Sequence, residues 1–178
     1  MMDLARRLAA DSSPAVRREV AFYLRNKDAT PSVISVLVEI AKHYDGVDRT
    51  YLEALGTGAT GKEAAFYAAL VKDTKPSDWS ATTAAVVWRL MTAAAIPALQ
   101  ERVFDRKLPL ADRREALESI AFVRSGSAAN AMVDIANFSP EKELAERAGF
   151  WVNWNNDRWW KSYNPSDKIK GGKTRQKL

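Results

Sequence analysis

Apolar residues recur at helical spacing along the whole chain. Val33, Leu37, Ile40, Ala41 and Tyr44 form one stripe in which neighbours lie one helical turn apart. No stretch alternates between apolar and polar residues as a half-buried strand does. Proline and glycine interrupt the stripes and divide the chain into segments of roughly 10 to 16 residues. The pattern predicts an all-α protein.

The interruptions are themselves periodic. Five similar segments begin at Val16, Val47, Ser80, Asp112 and Leu144, which are 31, 33, 32 and 32 residues apart. Their fifth and ninth positions are mostly apolar and share one helix face. These positions are Val20, Tyr51, Ala84, Ala116 and Ala148, and Leu24, Leu55, Trp88, Ile120 and Val152. A second helical stripe follows each of the first four segments, at residues 32–44, 62–72, 93–104 and 127–136.

The repeating unit is therefore a helical hairpin. One hairpin cannot bury its apolar stripe alone, so neighbouring hairpins are expected to stack and share a continuous core. We predict a HEAT-like α-solenoid, a superhelix of about five hairpins with a period of about 32 residues, over residues 1–163. Residues 1–10 form a partial repeat or cap in this prediction, and residues 144–163 form an aromatic cap.

Several tracts resemble a known family. Ser13–Glu19, Tyr44–Arg49, Tyr51–Gly56 and Gly61–Glu63 are similar to the HEAT-repeat region of large bacterial c-type cytochromes, and the resemblance covers roughly residues 12–163. It implies a sugar-dehydrogenase-like β-propeller before the repeats and a haem-bearing cytochrome c domain after them. This chain has no C-x-x-C-H motif and no strand-rich portion. The resemblance therefore implies only the fold and a spacer role, without haem, quinone or dehydrogenase activity.

The same resemblance bears on location. A fragment of such a protein is expected outside the cytoplasm, in the periplasm, whereas a chain that truly starts at Met1 is expected in the cytoplasm, because residues 1–10 contain charges where a signal peptide is apolar. The longest apolar stretch, around residues 32–40, is interrupted by Glu39 and followed by Lys42, so no membrane span is predicted.

Composition removes most catalytic and metal sites. The chain has no cysteine, and His43 is its single histidine. Disulfides, thiolate metal sites, cysteine nucleophiles and multi-histidine metal sites are therefore excluded. We predict no cofactor, no metal and no enzymatic activity.

The formal charge of +5 comes from one segment. Residues 168–178 hold five of the 27 basic residues and no acid, which leaves 22 basic against 22 acidic residues in the rest. A duplex-binding protein concentrates basic residues on a face of its fold, whereas a short basic tail is more often solvated. We predict that residues 164–178 form a disordered basic tail and that nucleic-acid binding is weak.

Three motifs have simpler explanations than ligand binding. Gly56, Gly58 and Gly61 match G-x-G-x-x-G, but they follow a helical stripe where a dinucleotide site needs a strand. Asp45 and Asp48 lack the spacing of a calcium loop, and one or the other is expected to cap a helix. The runs at 17–19 and 113–115, both Arg-Arg-Glu, are predicted to form solvated helix faces with local ion pairs.

The segment from Phe150 to Tyr163 is the least ordinary part of the chain, because it contains four of the six tryptophans. Tryptophan, tyrosine and arginine are enriched at interface hot spots. The candidate protein-binding residues are Trp151, Trp154, Arg158, Trp159, Trp160 and Tyr163. Aromatic rings folded over the open end of the repeats would serve as a cap instead, and we favour the cap over docking. We expect Trp151 or Trp154 to be buried and Trp159 or Trp160 to be exposed.

Two functions remain open at this stage. The first is a non-catalytic scaffold or protein-interaction module that positions neighbouring domains or a partner. The rival is a HEAT-like nucleic-acid-binding protein, or an alkylated-base DNA glycosylase, that uses the tryptophan-rich end and the basic tail. The neutral charge of residues 1–167 favours the scaffold.

Overall fold

The computed structural model describes residues 1–170, which contain ten α-helices, four short 3₁₀ segments and no strand. The predicted all-α class is confirmed. The helices are α1 (Met2–Leu8), α2 (Pro14–Leu24), α3 (Pro31–Lys42), α4 (Arg49–Gly58), α5 (Glu63–Leu70), α6 (Ala81–Leu90), α7 (Ile96–Phe104), α8 (Leu110–Ala121), α9 (Gly126–Phe138) and α10 (Lys142–Asn156). The 3₁₀ segments are Pro76–Asp78, Ala93–Ala95, Lys161–Tyr163 and Pro165–Lys168.

The chain divides into two compact units, Met1–Ala94 and the part that begins at Ala95. The division lies between α6 and α7, inside the third predicted hairpin. Within the first unit, α2 packs on α4 and α4 on α6, while α1 packs on α3 and α3 on α5. Within the second unit, α8 packs on α10 and α7 on α9, and the most extensive contacts are those of α7 with α8 and of α9 with α10. Each unit therefore has the first helices of its hairpins in one layer and the second helices in another.

A side-chain N-cap precedes four of the ten α-helices in residues 1–170, namely α3, α4, α6 and α9. Thr30 and Asp48 accept hydrogen bonds from backbone N–H groups three residues on, at 3.3 and 3.0 Å, as N-caps of α3 and α4. Pro97 lies in the first turn of α7, where its missing N–H is not needed. α10 begins at Lys142 with Glu141 as its N-cap, and no side chain accepts a capping hydrogen bond there.

The predicted core positions are buried in four of the five repeats. Leu24 and Leu55, for example, are 0% and 1% exposed. The third repeat differs, because Ala84 and Trp88 are only half-buried. The Trp88 ring lies beneath the Arg49 guanidinium at 4.7 Å, and Arg49 and Arg89 both contact the carboxylate of Glu53.

Two arginines that were predicted to be solvated are buried. Arg17 donates to the Asp11 carbonyl beyond the end of α1 and, at 2.9 Å, to the Tyr51 hydroxyl. Arg113 donates to the Val103 carbonyl in the last turn of α7 at 2.8 Å. Carbonyls at helix ends have no partner within the helix, and a guanidinium supplies donors to them without leaving a buried carbonyl unpaired. Burial raises the pKa of Tyr51, and its hydrogen bond from Arg17 opposes this shift.

The neighbouring arginine in each run remains at the surface, as predicted. Arg18 pairs with Asp48 at 3.3 Å, and Arg114 pairs with Glu143 at 2.7 Å. The prediction of a solvated face with ion pairs is therefore correct for the second arginine of each run. For the first arginine it is wrong about solvation, although the buried Arg113 still pairs with Glu141 at 3.4 Å.

The glycine motif has a packing role. Gly56 and Gly58 lie inside α4, and only Gly61, at φ +74°, lies in the turn that follows. A Cβ on Gly58 would lie 2.5 Å from the backbone oxygen of Ala21, so glycine permits the close approach of α4 to α2. Dinucleotide binding needs these glycines before a helix, at its N-terminus, which is not where they are.

Replacing Gly58 tests this role of close packing. Gly58→Ala should lower the free energy of unfolding by about 1–3 kcal/mol, because the new methyl group must push α2 and α4 apart. Gly149→Ala is the matched control, since Gly149 lies within α10 with nothing within 4 Å of an added Cβ. The control should raise stability by about 0.5–1 kcal/mol through helix propensity. Urea denaturation measures both, and equal effects of the same sign would contradict the packing account.

Candidate interaction site at the tryptophan-rich end

The tryptophan-rich segment is anchored by two buried side chains. Asn155, in the last turn of α10, donates from Nδ2 to the Ala121 carbonyl at 3.0 Å. Trp160 donates from Nε1 to the Val123 carbonyl at 2.9 Å. Both side chains are 0% exposed, and both acceptors lie at the C-terminal end of α8. These two bonds join the end of α10 to the helix beside it.

The expected distribution of tryptophan exposure is wrong. Trp160 is fully buried, while Trp154 is 46% exposed and Trp151 and Trp159 are half-buried. The physical reason is that Trp160 follows the end of α10, where the chain turns back and fills the space beside Val123. Trp160 therefore belongs to the cap and not to an accessible docking surface.

Three exposed rings and the half-buried ring of Trp151 form one contiguous cluster, the aromatic patch: Phe122, Phe150, Trp151 and Trp154. Phe122 and Phe150 pack edge-on against Trp151, with centroids 5.5 and 5.3 Å away. Phe150 also stacks on Trp154 at 5.9 Å. Phe122, Phe150 and Trp154 are between 37% and 46% exposed. The sequence analysis did not include Phe122 and Phe150 among the candidate binding residues. Phe122 reaches the cluster only because the end of α8 lies against α10.

The patch continues a row of paired side chains between α8 and α10. Arg114 pairs with Glu143, Glu118 with Arg147, and Phe122 with Trp151. The partners in each pair are 29 residues apart, and the members on each helix are four residues apart. Residues four apart share a helix face, so the two helices run alongside each other in register. The first two pairs are ionic and the third is aromatic.

Two arginines lie on indole rings at this end. The Arg158 guanidinium carbon is 4.1 Å from the Trp154 ring centroid, and that of Arg124 is 5.0 Å from the Trp159 centroid. Both arginines are exposed. The Trp159 Nε1 atom is buried and has no hydrogen-bond acceptor among the described residues. Tyr163 is 39% exposed, and its ring lies against Gly126 at the start of α9.

The first part of the predicted tail is packed against the fold. Lys168 donates to the Asn130 side chain at 3.0 Å, and its carbonyl accepts from Asn137 at 3.0 Å. The Lys170 ammonium lies 4.2 Å from the Phe138 ring centroid, and Pro165 is buried. The ordered chain thus extends beyond residue 164 to Lys170. The prediction for residues 171–178 lies outside the described residues.

Ionisable groups in the second unit are organised around burial and pairing. Burial lowers the pKa of Arg102, and the neighbouring carboxylates of Asp112, Glu115 and Asp105 oppose this shift.

Among residues 1–170, no group of three or more metal-ligating side chains is assembled. None of the helices in the same range is long and apolar enough to cross a membrane. The aromatic patch therefore offers exposed aromatic rings with guanidinium donors beside them.

Comparisons with known proteins add no relative. A scan of protein-family models, a search of curated proteins and a search of solved structures each found no match to this chain.

Trp160 and Trp154 should respond differently to the same substitution. Trp160→Phe should lower the free energy of unfolding by about 2–4 kcal/mol, because it leaves the Val123 carbonyl without its donor and opens a cavity. Trp154→Phe should change stability by less than about 0.5 kcal/mol, because the ring is at the surface. Acrylamide quenching of fluorescence should lose its most accessible component in Trp154→Phe and keep it in Trp160→Phe. Equal losses of stability would contradict the division into cap and patch.

Proposed function

We propose that this chain is a non-catalytic scaffold that binds a protein partner, and that the aromatic patch is its interaction surface. The observation that carries the proposal is the exposure of Phe122, Phe150 and Trp154 in one contiguous cluster, while Trp160 and Asn155 already close the end of the fold. A cap requires buried rings and explains Trp160. It does not explain three large aromatic side chains that remain more than a third exposed.

The proposal includes both a cap and a docking surface, because different residues of the segment serve each role. Trp160 is assigned to the cap. Trp151, Trp154 and Arg158 are assigned to the interaction surface, with Phe122 and Phe150 added to them. Trp159, whose ring is covered by Arg124, and Tyr163, whose ring lies against Gly126, are not assigned to it. Rigid aromatic rings beside an arginine provide a large contact area with a polar edge, the composition that dominates binding energy at protein interfaces.

The finer description of the fold belongs to the same proposal. The period of about 32 residues and the two-layer packing within each unit support HEAT-like solenoid repeats. The resemblance to the repeat region of large bacterial c-type cytochromes supports a spacer role, in which neighbouring domains of a longer chain are the partners. Repeat proteins of this kind bind partners through extended surfaces, so the proposed function requires no cofactor.

Photo-crosslinking tests the interaction surface. Trp154 is replaced with p-benzoylphenylalanine in the full chain, the protein is expressed in the cells from which the sequence comes, and adducts are identified by mass spectrometry. We expect a discrete protein adduct, because Trp154 is the most exposed ring of the cluster. Arg106, exposed in the turn before α8, is the control position. No adduct at residue 154 beyond that at residue 106 would contradict the proposal, and crosslinks to nucleic acid would favour the rival.

The second candidate function is nucleic-acid binding, which the five basic residues of 168–178 favour. Two contacts count against it. Trp154 is already stacked with Phe150 and covered by Arg158, and Trp159 is covered by Arg124. A base that stacks on either indole competes with these groups, whereas strand-binding proteins offer free ring faces.

Salt dependence separates the two candidates. We expect weak DNA binding that is lost by roughly 0.2 M salt, because only the terminal charges contact phosphate. Lys173→Gln, Arg175→Gln and Lys177→Gln together should abolish it, and they leave the contacts of Lys168 and Lys170 with α9 intact. Fluorescence anisotropy with labelled duplex and single-stranded DNA is the measurement. Tight binding that survives the triple substitution would instead support the nucleic-acid function.

A further inference from the structure

Two arginines that follow the ends of α8 and α10 differ from the arginines within these helices. Arg158 lies on Trp154 of the aromatic patch, and Arg124 lies on Trp159 and is two residues after Phe122. Arg114 and Arg147 each pair with a glutamate on the facing helix. Arg124 and Arg158 form no ion pair and no side-chain hydrogen bond with any residue from 1 to 170. Their planar groups lie over indole rings, so their N–H donors are unused by the described chain. Beyond the paired residues of α8 and α10, the chain thus presents two cations without carboxylates.

The local charge at this end is positive. Arg124, Arg158 and Lys161 are exposed here, and Asp157 is the one acid in the segment 148–163. The Asp157 carboxylate already accepts from Asn156 at 3.1 Å. A guanidinium that rests on an indole is held in a restricted orientation, and it loses less rotational freedom when it binds a carboxylate in bidentate fashion. The site is complementary to negative charge beside apolar groups.

We propose that the aromatic patch, together with Arg124 and Arg158, binds an acidic peptide segment of a partner protein. Carboxylates of the segment pair with the two guanidiniums, and an apolar side chain next to them packs on Phe122, Phe150 and Trp151. This inference rests on the proposed function and specifies the class of partner. A nucleic acid also offers negative charge, but its bases would need the indole faces that the two arginines cover.

A synthetic peptide provides the test. The probe is a fluorescein-labelled nonapeptide in which two Glu and one Leu repeat three times, and its counterpart has Gln in place of every Glu. Anisotropy titration of the full chain should show at least about tenfold tighter binding of the acidic peptide at low salt, because charged hydrogen bonds are made with it alone. Its affinity should fall as salt rises. Equal binding of the two peptides would overturn the proposal.

Matched variants locate the site. Arg124→Gln combined with Arg158→Gln should weaken binding of the acidic peptide about tenfold or more, with an unchanged melting temperature, since both side chains are exposed. Arg106→Gln, which removes an exposed arginine elsewhere in the unit, is the control and should leave affinity unchanged. Arg158→Lys keeps the charge without the planar fork and should give an intermediate affinity.

The outcomes separate this inference from the function on which it depends. If the double variant binds as tightly as the original chain, or if a thymidine oligonucleotide binds the patch more tightly than the acidic peptide, the acidic-segment proposal is wrong. If either of these results is obtained while the crosslink at residue 154 still captures a protein, the scaffold function stands and its partner is not acidic. If the crosslink fails as well, both are wrong.

Discussion

The structure depends on how the carbonyl groups at the ends of its helices find donors. The last carbonyls of a helix have no partner within it, and in a stack of short helices many of these ends are covered by the next hairpin. Here, polar side chains from later in the chain supply the donors. The pairs are Arg17 with Asp11, Tyr51 with Ile40, Lys62 with Arg25, Arg113 with Val103, Asn155 with Ala121, and Trp160 with Val123. Each of these donors is buried, and each pair lies within one of the two units.

The candidate site is a consequence of the last two pairs. Asn155 and Trp160 bind the end of α8, so α10 is held alongside that helix and its next residues turn back over the fold. Buried positions on α10 then include Leu144, Ala148 and Val152, and the remaining faces carry Phe150 and Trp154 outward. The aromatic patch is thus the outer side of the helix whose inner side closes the unit. The proposed interaction surface and the closure of the unit therefore use different rings of one segment.

Much of the fold could be predicted from local sequence patterns. Apolar spacing predicted ten helices at nearly their observed bounds, and Thr30 and Asp48 acted as caps because their side chains bond the backbone three residues on, whatever surrounds them. The burial of Arg17 and Arg113 could not be read in this way, since a charged residue in a run of charges is ordinarily solvated. Each arginine is buried because it donates to a carbonyl that needs a partner, that of Asp11 six residues before Arg17 and that of Val103 ten residues before Arg113. The same limit applied to Trp160, whose acceptor is 37 residues away.

The amino-acid sequence by itself determined the class of fold and the positions of the helices, because these depend on spacing and on contacts within a few residues. It also located the segment in which the candidate site lies. Only the tertiary structure decided which rings of that segment are accessible, and it added Phe122 from α8 and the indole contacts of Arg124 and Arg158. The physical reason is that exposure is a property of a side chain and all its neighbours. The neighbours of this segment come from a helix about thirty residues earlier, whose register against α10 is defined by packing and not by local pattern.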